Sequence, residues 1–102
     1  MPISGDIYAF TLENIDKSPV SHGVYALYSN GATTYIGRAS GTGVTIRSRL
    51  RSHKRGDEGS CTKVATDYRR EVTEAPVSRE RELLTEYVSS YGRLPRCNDV
   101  MP

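Results

Sequence analysis

Asn30-Gly31 stands between two apolar runs, Gly23 to Ser29 and Ala32 to Arg38. Asn-Gly is the pair that most readily holds two successive residues at positive φ, which a two-residue hairpin turn requires. The first run is rich in Val, Tyr and Leu; the second carries Thr33, Thr34, Tyr35 and Ile36. Such β-branched and aromatic residues suit a pleated, half-buried surface. The segment is therefore expected to be an antiparallel hairpin, and its turn makes a geometric demand. Side chains alternate faces along a strand. With Ser29 opposite Ala32, Ala26 falls opposite Tyr35, and Tyr25 and Tyr35 point to opposite faces. They share a face only if the loop is odd, such as Asn30-Gly31-Ala32, or if a β-bulge intervenes. A site that used both phenols would require one of these two irregularities.

A small-residue loop, Ala39 to Gly43, leads into a basic stretch. Arg38, Arg47, Arg49, Arg51, Lys54 and Arg55 are six of the fourteen Lys and Arg residues, and no acid falls among them. Thr42 and Thr45 are N-cap candidates for a helix from about Thr45 to Arg55. Ile46, Arg49, Leu50 and His53 lie at i, i+3, i+4 and i+7 and share one side of it. Ile46 and Leu50 should face the core, with Arg49 and His53 at its edge. Arg47, Arg51, Lys54 and Arg55 should be solvated. Thr66 to Thr73 reads as a third strand, edge-like because it is highly charged. Residues 56–60 read as a polar break. Ile3, Ile7 and Phe10 suggest a short helix or packed arm before residue 20.

At 102 residues the chain suits one domain with a core of its own. The net charge of +2 makes the distribution of charge more informative than its sum. Cys61 and Cys97 show neither a CxxC pair nor a metal spacing and are expected to be reduced thiols. No apolar stretch approaches the length of a membrane span. The N-terminus carries Asp6, Glu13 and Asp16 without a basic region ahead of an apolar one. A cytoplasmic protein with no membrane association is the expectation.

Ser78 reads as the N-cap of a last helix that ends near Tyr91, with Gly92 as its stop. Leu83, Leu84, Tyr87, Val88 and Tyr91 form its apolar stripe, and Glu80 lies on it, at i, i+4, i+7 and i+11 with Leu84, Tyr87 and Tyr91. A carboxylate on such a stripe costs free energy unless a charge meets it. A hard divalent ion can supply that charge, because Mg²⁺ takes one or two carboxylates and keeps several waters. Tyr28, Tyr87 and Tyr91 read as core or rim, and His22 as structural or solvent-facing.

Taken in order, these segments resemble the GIY-YIG nuclease superfamily. Gly23-Val24-Tyr25 is similar to its first motif and Tyr35-Ile36-Gly37 to its second. The stretch Ile46 to His53 resembles the family's Arg-helix, with Arg49 and His53 at the site-facing positions. Glu80-Arg81-Glu82-Leu83-Leu84 resembles the metal-binding helix, and Pro95-Arg96-Cys97-Asn98 the closing Pro-x-x-Asn. The resemblance runs over about residues 20–98, leaving residues 1–19 as an N-terminal arm or short helix. The chain departs from the pattern in a longer loop around Ser40 to Gly43 and in a longer span from Glu80 to Asn98. Glu86 has the spacing to Pro95 of shorter relatives, and Glu82 is a further alternative; the facing of the helix favours Glu80.

The resemblance implies an α/β domain with a small, mostly antiparallel sheet of about three strands flanked by helices. It implies a metal-dependent endonuclease acting on DNA, with RNA left open. Tyr25 is then the candidate general base, Tyr35 orients water or phosphate, and Arg49 grips the phosphate. His53 relays a proton, Glu80 holds Mg²⁺ or Mn²⁺, and Asn98 positions. Arg38, Arg47, Arg51, Lys54 and Arg55 are candidates for the nucleic-acid backbone. A phenol has an ordinary pKa of about 10, so a basic Tyr25 calls for its lowering by about three units. Sequence-specific cutting by so small a domain calls for a second copy or a partner DNA-binding chain. The rivals are a non-catalytic nucleic-acid-binding module with the same fold and a protein-interaction domain.

Overall fold

The protein, described by a computed structural model over residues 1–101, folds around the hairpin. Strands β2 (Gly23–Ser29) and β3 (Ala32–Ala39) pair antiparallel across a turn in which Asn30 and Gly31 have φ of 51° and 86°. Two further strands, β1 (Tyr8–Ala9) and β4 (Asp67–Val72), complete an antiparallel sheet of order β1-β4-β2-β3. There are thus four strands where about three were expected; the extra one is two residues long and has no periodicity to read. It covers one end of β4, whose other side pairs with β2. The edge position expected for residues 66–73 is therefore corrected: β3 is the outer strand on the hairpin side.

The hairpin contains the bulge. Ser29 pairs with Ala32 and Tyr28 with Thr33, but Leu27 then pairs with Tyr35, leaving Thr34 as the extra residue. The two-residue turn is kept and the shift is taken inside β3. The Thr34 hydroxyl donates to the Leu27 carbonyl at 3.3 Å. From Tyr35 onward every side chain of β3 is moved to the other face, so Tyr35 joins Tyr25 and Leu27.

That face packs against α1 (Leu12–Ile15) and α2 (Ile46–Arg55) through Phe10, Ile15, Tyr25, Leu27, Ile46, Leu50 and Tyr68. Thr45 caps α2 in a capping box with Ser48, and Gly56 ends it in the left-handed conformation. The other face, with Val24, Ala26, Tyr28 and Ile36, packs against Leu83 and Leu84 of α4 (Pro76–Tyr91). Pro76, rather than Ser78, opens α4; proline suits the first turn because its missing N–H has no partner there. The Ser78 hydroxyl instead donates to the Ala75 carbonyl.

Residues 1–10 do not form the helix considered for them; they run extended, with Ile3 against one core face and Phe10 buried in the other. Residues 60–63 form a short helix, α3 (Ser60–Lys63), which starts at the last residue of the expected polar break. The expectation of reduced thiols is overturned. Cys61 of α3 and Cys97 form a disulfide across 36 residues, with Cα atoms 5.8 Å apart. Sequence spacing could not show this, because α3 and the C-terminal segment are neighbours in the fold and not along the chain. No helix among the described residues is long and apolar enough to cross a membrane.

Candidate active site

The first two motifs are local consequences of close packing. A Cβ on Gly23 would lie 2.3 Å from the Glu71 carbonyl oxygen and 2.6 Å from the Ile46 side chain. One on Gly37 would lie 2.7 Å from the Tyr25 hydroxyl and 2.6 Å from the Tyr35 ring. Both glycines are needed for the approach they permit. Across Gly37 the Tyr25 and Tyr35 ring centroids stand 6.2 Å apart, and His53 of α2 lies against both, at 5.4 and 4.8 Å.

Tyr25 is fully buried, and its hydroxyl lies 2.9 Å from His53 Nε2. His53 is 1% exposed, and its Nδ1 lies 2.8 Å from the Thr62 hydroxyl of α3. Burial, and then the neighbouring Arg49 charge, lower the His53 pKa to about 4, so the ring is neutral at pH 7. Burial pushes the Tyr25 phenol above its ordinary value, with Tyr35 adding to the rise and Arg49 opposing it. The same desolvation raises Tyr35. The lowering asked of Tyr25 is therefore not built into the protein alone: it holds the phenol protonated, against a neutral imidazole.

Arg49 donates to Glu58 at 2.8 Å, an acid just beyond α2 that the sequence did not single out. Glu80 is 7% exposed, and Arg38 donates to its Oε1 at 2.6 Å. Alternation explains this pair: Arg38 lies on the α4 face of β3, opposite Val24. Glu82 and Glu86 are directed elsewhere, towards Arg79 and the N-terminal amine. Asn98 supplies what a further strand would supply to outer strand β3. Its Oδ1 accepts from the Ile36 N–H and its Nδ2 donates to the Ile36 carbonyl, both at 2.9 Å.

Two adjoining clefts open along β3. One, of about 310 Å³, is lined by Tyr35, Arg38, His53, Glu58, Thr62, Glu80 and Asn98 among others. The other, of about 360 Å³, shares Tyr35, Arg38 and Glu80 and adds Arg49. Tyr35, Arg49, His53, Glu80 and Asn98 thus line these clefts from both faces of the sheet, while Tyr25 is buried behind them against His53. No family model and no curated protein matches this chain. Solved structures do. The GIY-YIG N-terminal endonuclease domain of UvrC from Thermotoga maritima, as a point mutant bound to its catalytic divalent cation, is similar at 22% identity. Its TM-score is 0.60, over 86% of this chain and 93% of that one. The magnesium-bound form of the same domain is 23% identical, with a TM-score of 0.58 over 85% and 98%. The chain has the GIY-YIG nuclease fold.

In this GIY-YIG fold the basic stretch is largely engaged by its own protein. Arg51 donates twice to Asp16, Arg55 pairs with Asp57, and Arg47 donates to the Ser18 carbonyl. Lys54 sits 5.2 Å from the Phe10 ring centroid, and Arg38 is held by Glu80. Asp57 directly follows the run, but Asp16 and Glu80 come from distant segments, and the basic run gave no sign of them. Glu58, Thr62 and the disulfide likewise lacked any local signal. His22, read as structural or solvent-facing, is exposed and lies 2.8 Å from the Gly41 carbonyl through Nε2.

Proposed function

We propose that this chain is a divalent-metal-dependent endonuclease that hydrolyses phosphodiester bonds of DNA. The observation that carries the reading is the buried Tyr25–His53 contact, 2.9 Å long, beside clefts that Arg49 and Glu80 line together with Tyr35. A packing role alone gives no reason for a phenol, a neutral imidazole, a guanidinium and a buried carboxylate to gather at one edge.

The residues suit a hard cation. Glu80 is a buried carboxylate already facing a positive group, the Arg38 guanidinium, at 2.6 Å. Among the described residues no cluster of three His, Cys, Asp or Glu could enclose a metal. One carboxylate with retained waters is the arrangement Mg²⁺ or Mn²⁺ accepts. Glu80 would hold the ion, and a bound ion would polarise the scissile phosphate and offset its charge. The protein's own groups do the rest. Arg49 exchanges Glu58 for phosphate oxygens, which its planar fork suits better than a lysine would. Water gives a proton to Tyr25 as the Tyr25 proton passes to His53 Nε2, so no standing phenolate is needed. Tyr35 orients the attacking water or the phosphate, and Asn98 keeps β3 in place. Arg38, Arg47, Arg51, Lys54 and Arg55 meet the nucleic-acid backbone after giving up intramolecular partners, at small cost where the pairs are exposed.

A plasmid-nicking assay tests the reading. Cleavage is expected in Mg²⁺ or Mn²⁺, abolished by EDTA and lowered by at least ~100-fold in Glu80→Ala. Retention of DNA without cleavage would make the chain a binding module on the same fold. No retention even at low salt, where phosphate contacts are strongest, would point to protein recognition instead. The disulfide removes the thiol argument for a cytoplasmic location, which cell fractionation can decide directly.

A further inference from the structure

His53 touches Tyr25 with one ring nitrogen and Thr62 with the other. Both contacts are short, 2.9 and 2.8 Å, and all three side chains are buried. A neutral imidazole donates from one nitrogen and accepts at the other, so these partners jointly decide where its proton sits. Among the described residues the Tyr25 hydroxyl has no other hydrogen-bond partner, and the positive group that acts on it is Arg49. A guanidinium has donors only. The Tyr25 proton therefore has a single acceptor, His53 Nε2, and the imidazole proton must sit on Nδ1. Thr62 lines the cleft, so its own hydroxyl proton can turn there after the oxygen has accepted from Nδ1.

We propose that Thr62 is a positioning residue: by accepting from His53 Nδ1–H it holds the Nε2 lone pair towards the Tyr25 hydroxyl. This deepens the nuclease reading, on which its catalytic consequence rests. When the Tyr25 proton moves to Nε2, the imidazolium carries two N–H groups, and Thr62 keeps the second one satisfied in a buried place. A hydroxyl does this without a charge. A carboxylate there would hold the ring protonated beforehand and remove the acceptor that Tyr25 requires. The location also fits: Thr62 follows Cys61, so the bond to Cys97 anchors α3 against the C-terminal segment.

The experiment is ¹⁵N NMR of the two histidine ring systems in the oxidised 102-residue chain, with His22→Gln to assign the signals. Wild-type His53 is expected to show a protonated Nδ1 and an unprotonated Nε2 near pH 7. Thr62→Val, which removes the hydroxyl at nearly constant volume, should draw the two nitrogen shifts together; Thr62→Ser should restore them. Cleavage should fall at least ~10-fold in Thr62→Val and stay within ~3-fold of wild type in Thr62→Ser, the scale of a misplaced proton acceptor. A wild-type ring protonated on Nε2, or shifts that valine leaves unchanged, would overturn the assignment. Should valine disturb folding by circular dichroism, the wild-type tautomer and the serine variant still decide. If the wild-type chain cuts no DNA while its ring behaves as expected, the nuclease reading fails and the role of Thr62 towards His53 stands.

Discussion

Opening the Cys61–Cys97 bond should destabilise the domain by an amount set by chain connectivity. The bridge spans 36 residues, enclosing α3, β4 and α4. Cross-linking a loop of that size removes about 13 cal/mol/K of entropy from the unfolded chain, or about 4 kcal/mol at room temperature. In a domain of this length each kcal/mol shifts Tm by about 4–8 °C, so reduction should lower it by roughly 15–30 °C. The folded site should change much less. The C-terminal segment keeps Cys97 N–H on the Thr34 carbonyl at 2.8 Å and the paired Asn98–Ile36 hydrogen bonds at 2.9 Å. Urea unfolding of the oxidised chain and of Cys61→Ser/Cys97→Ser measures the stability. Hydrogen exchange at the Ile36 amide, at low temperature where both forms are folded, reports on the site. Intact mass after non-reducing alkylation shows whether the bond is closed. A stability difference below about 1 kcal/mol with the bond closed would refute the entropic account.

Three other outcomes follow from the packing. Gly37→Ala should cost about 1–3 kcal/mol in urea unfolding and abolish cleavage, because its Cβ would fall within 2.7 Å of the Tyr25 hydroxyl. His53 has a folded pKa of about 4, below its unfolded value of 6.5. Stability should be full above pH 6.5 and fall by about 3 kcal/mol as pH drops to 4, where the unfolded chain alone takes up the proton. His53→Gln should flatten that part of the pH–stability curve; a curve identical to wild type would count against a buried neutral ring. Arg79 holds the Glu71 carboxylate pKa down to about 2, through hydrogen bonds of 2.7 and 3.0 Å. That support is present above about pH 4.5 and lost as pH falls through 2. Arg79→Ala should cost about 2 kcal/mol at pH 7 after allowance for solvent screening, with a smaller loss near pH 2, as acid titration of unfolding will show. It should also loosen residues 1–2, whose carbonyls Arg79 binds.

The site was legible where short-range geometry dictates it. Arg49 and His53 stand four residues apart on one helix, so their shared side follows from helical pitch. Once the resemblance put Tyr25 and Tyr35 in one site, parity alone showed that the hairpin required some irregularity to bring them together. Which irregularity was used could not, because Thr34 differs little from its neighbours until the fold places it. Ser78 was a sound cap by composition, yet Pro76 opened α4 one turn earlier. The basic run showed the opposite limitation: its charges were evident, while Asp16, Glu58 and Glu80, the acids that engage three of them, lie outside it.

The order of residues thus determined the hairpin, the two long helices and which side chains each could offer on one face, since φ preferences and side-chain periodicity act over a few residues. Tertiary structure alone decided that Cys61 meets Cys97, that Glu58 engages Arg49 and that Thr62 faces His53. It also decided the protonation of the Tyr25–His53 pair. Desolvation and long-range proximity arise only when distant segments close around a common core, and a linear pattern carries no measure of either.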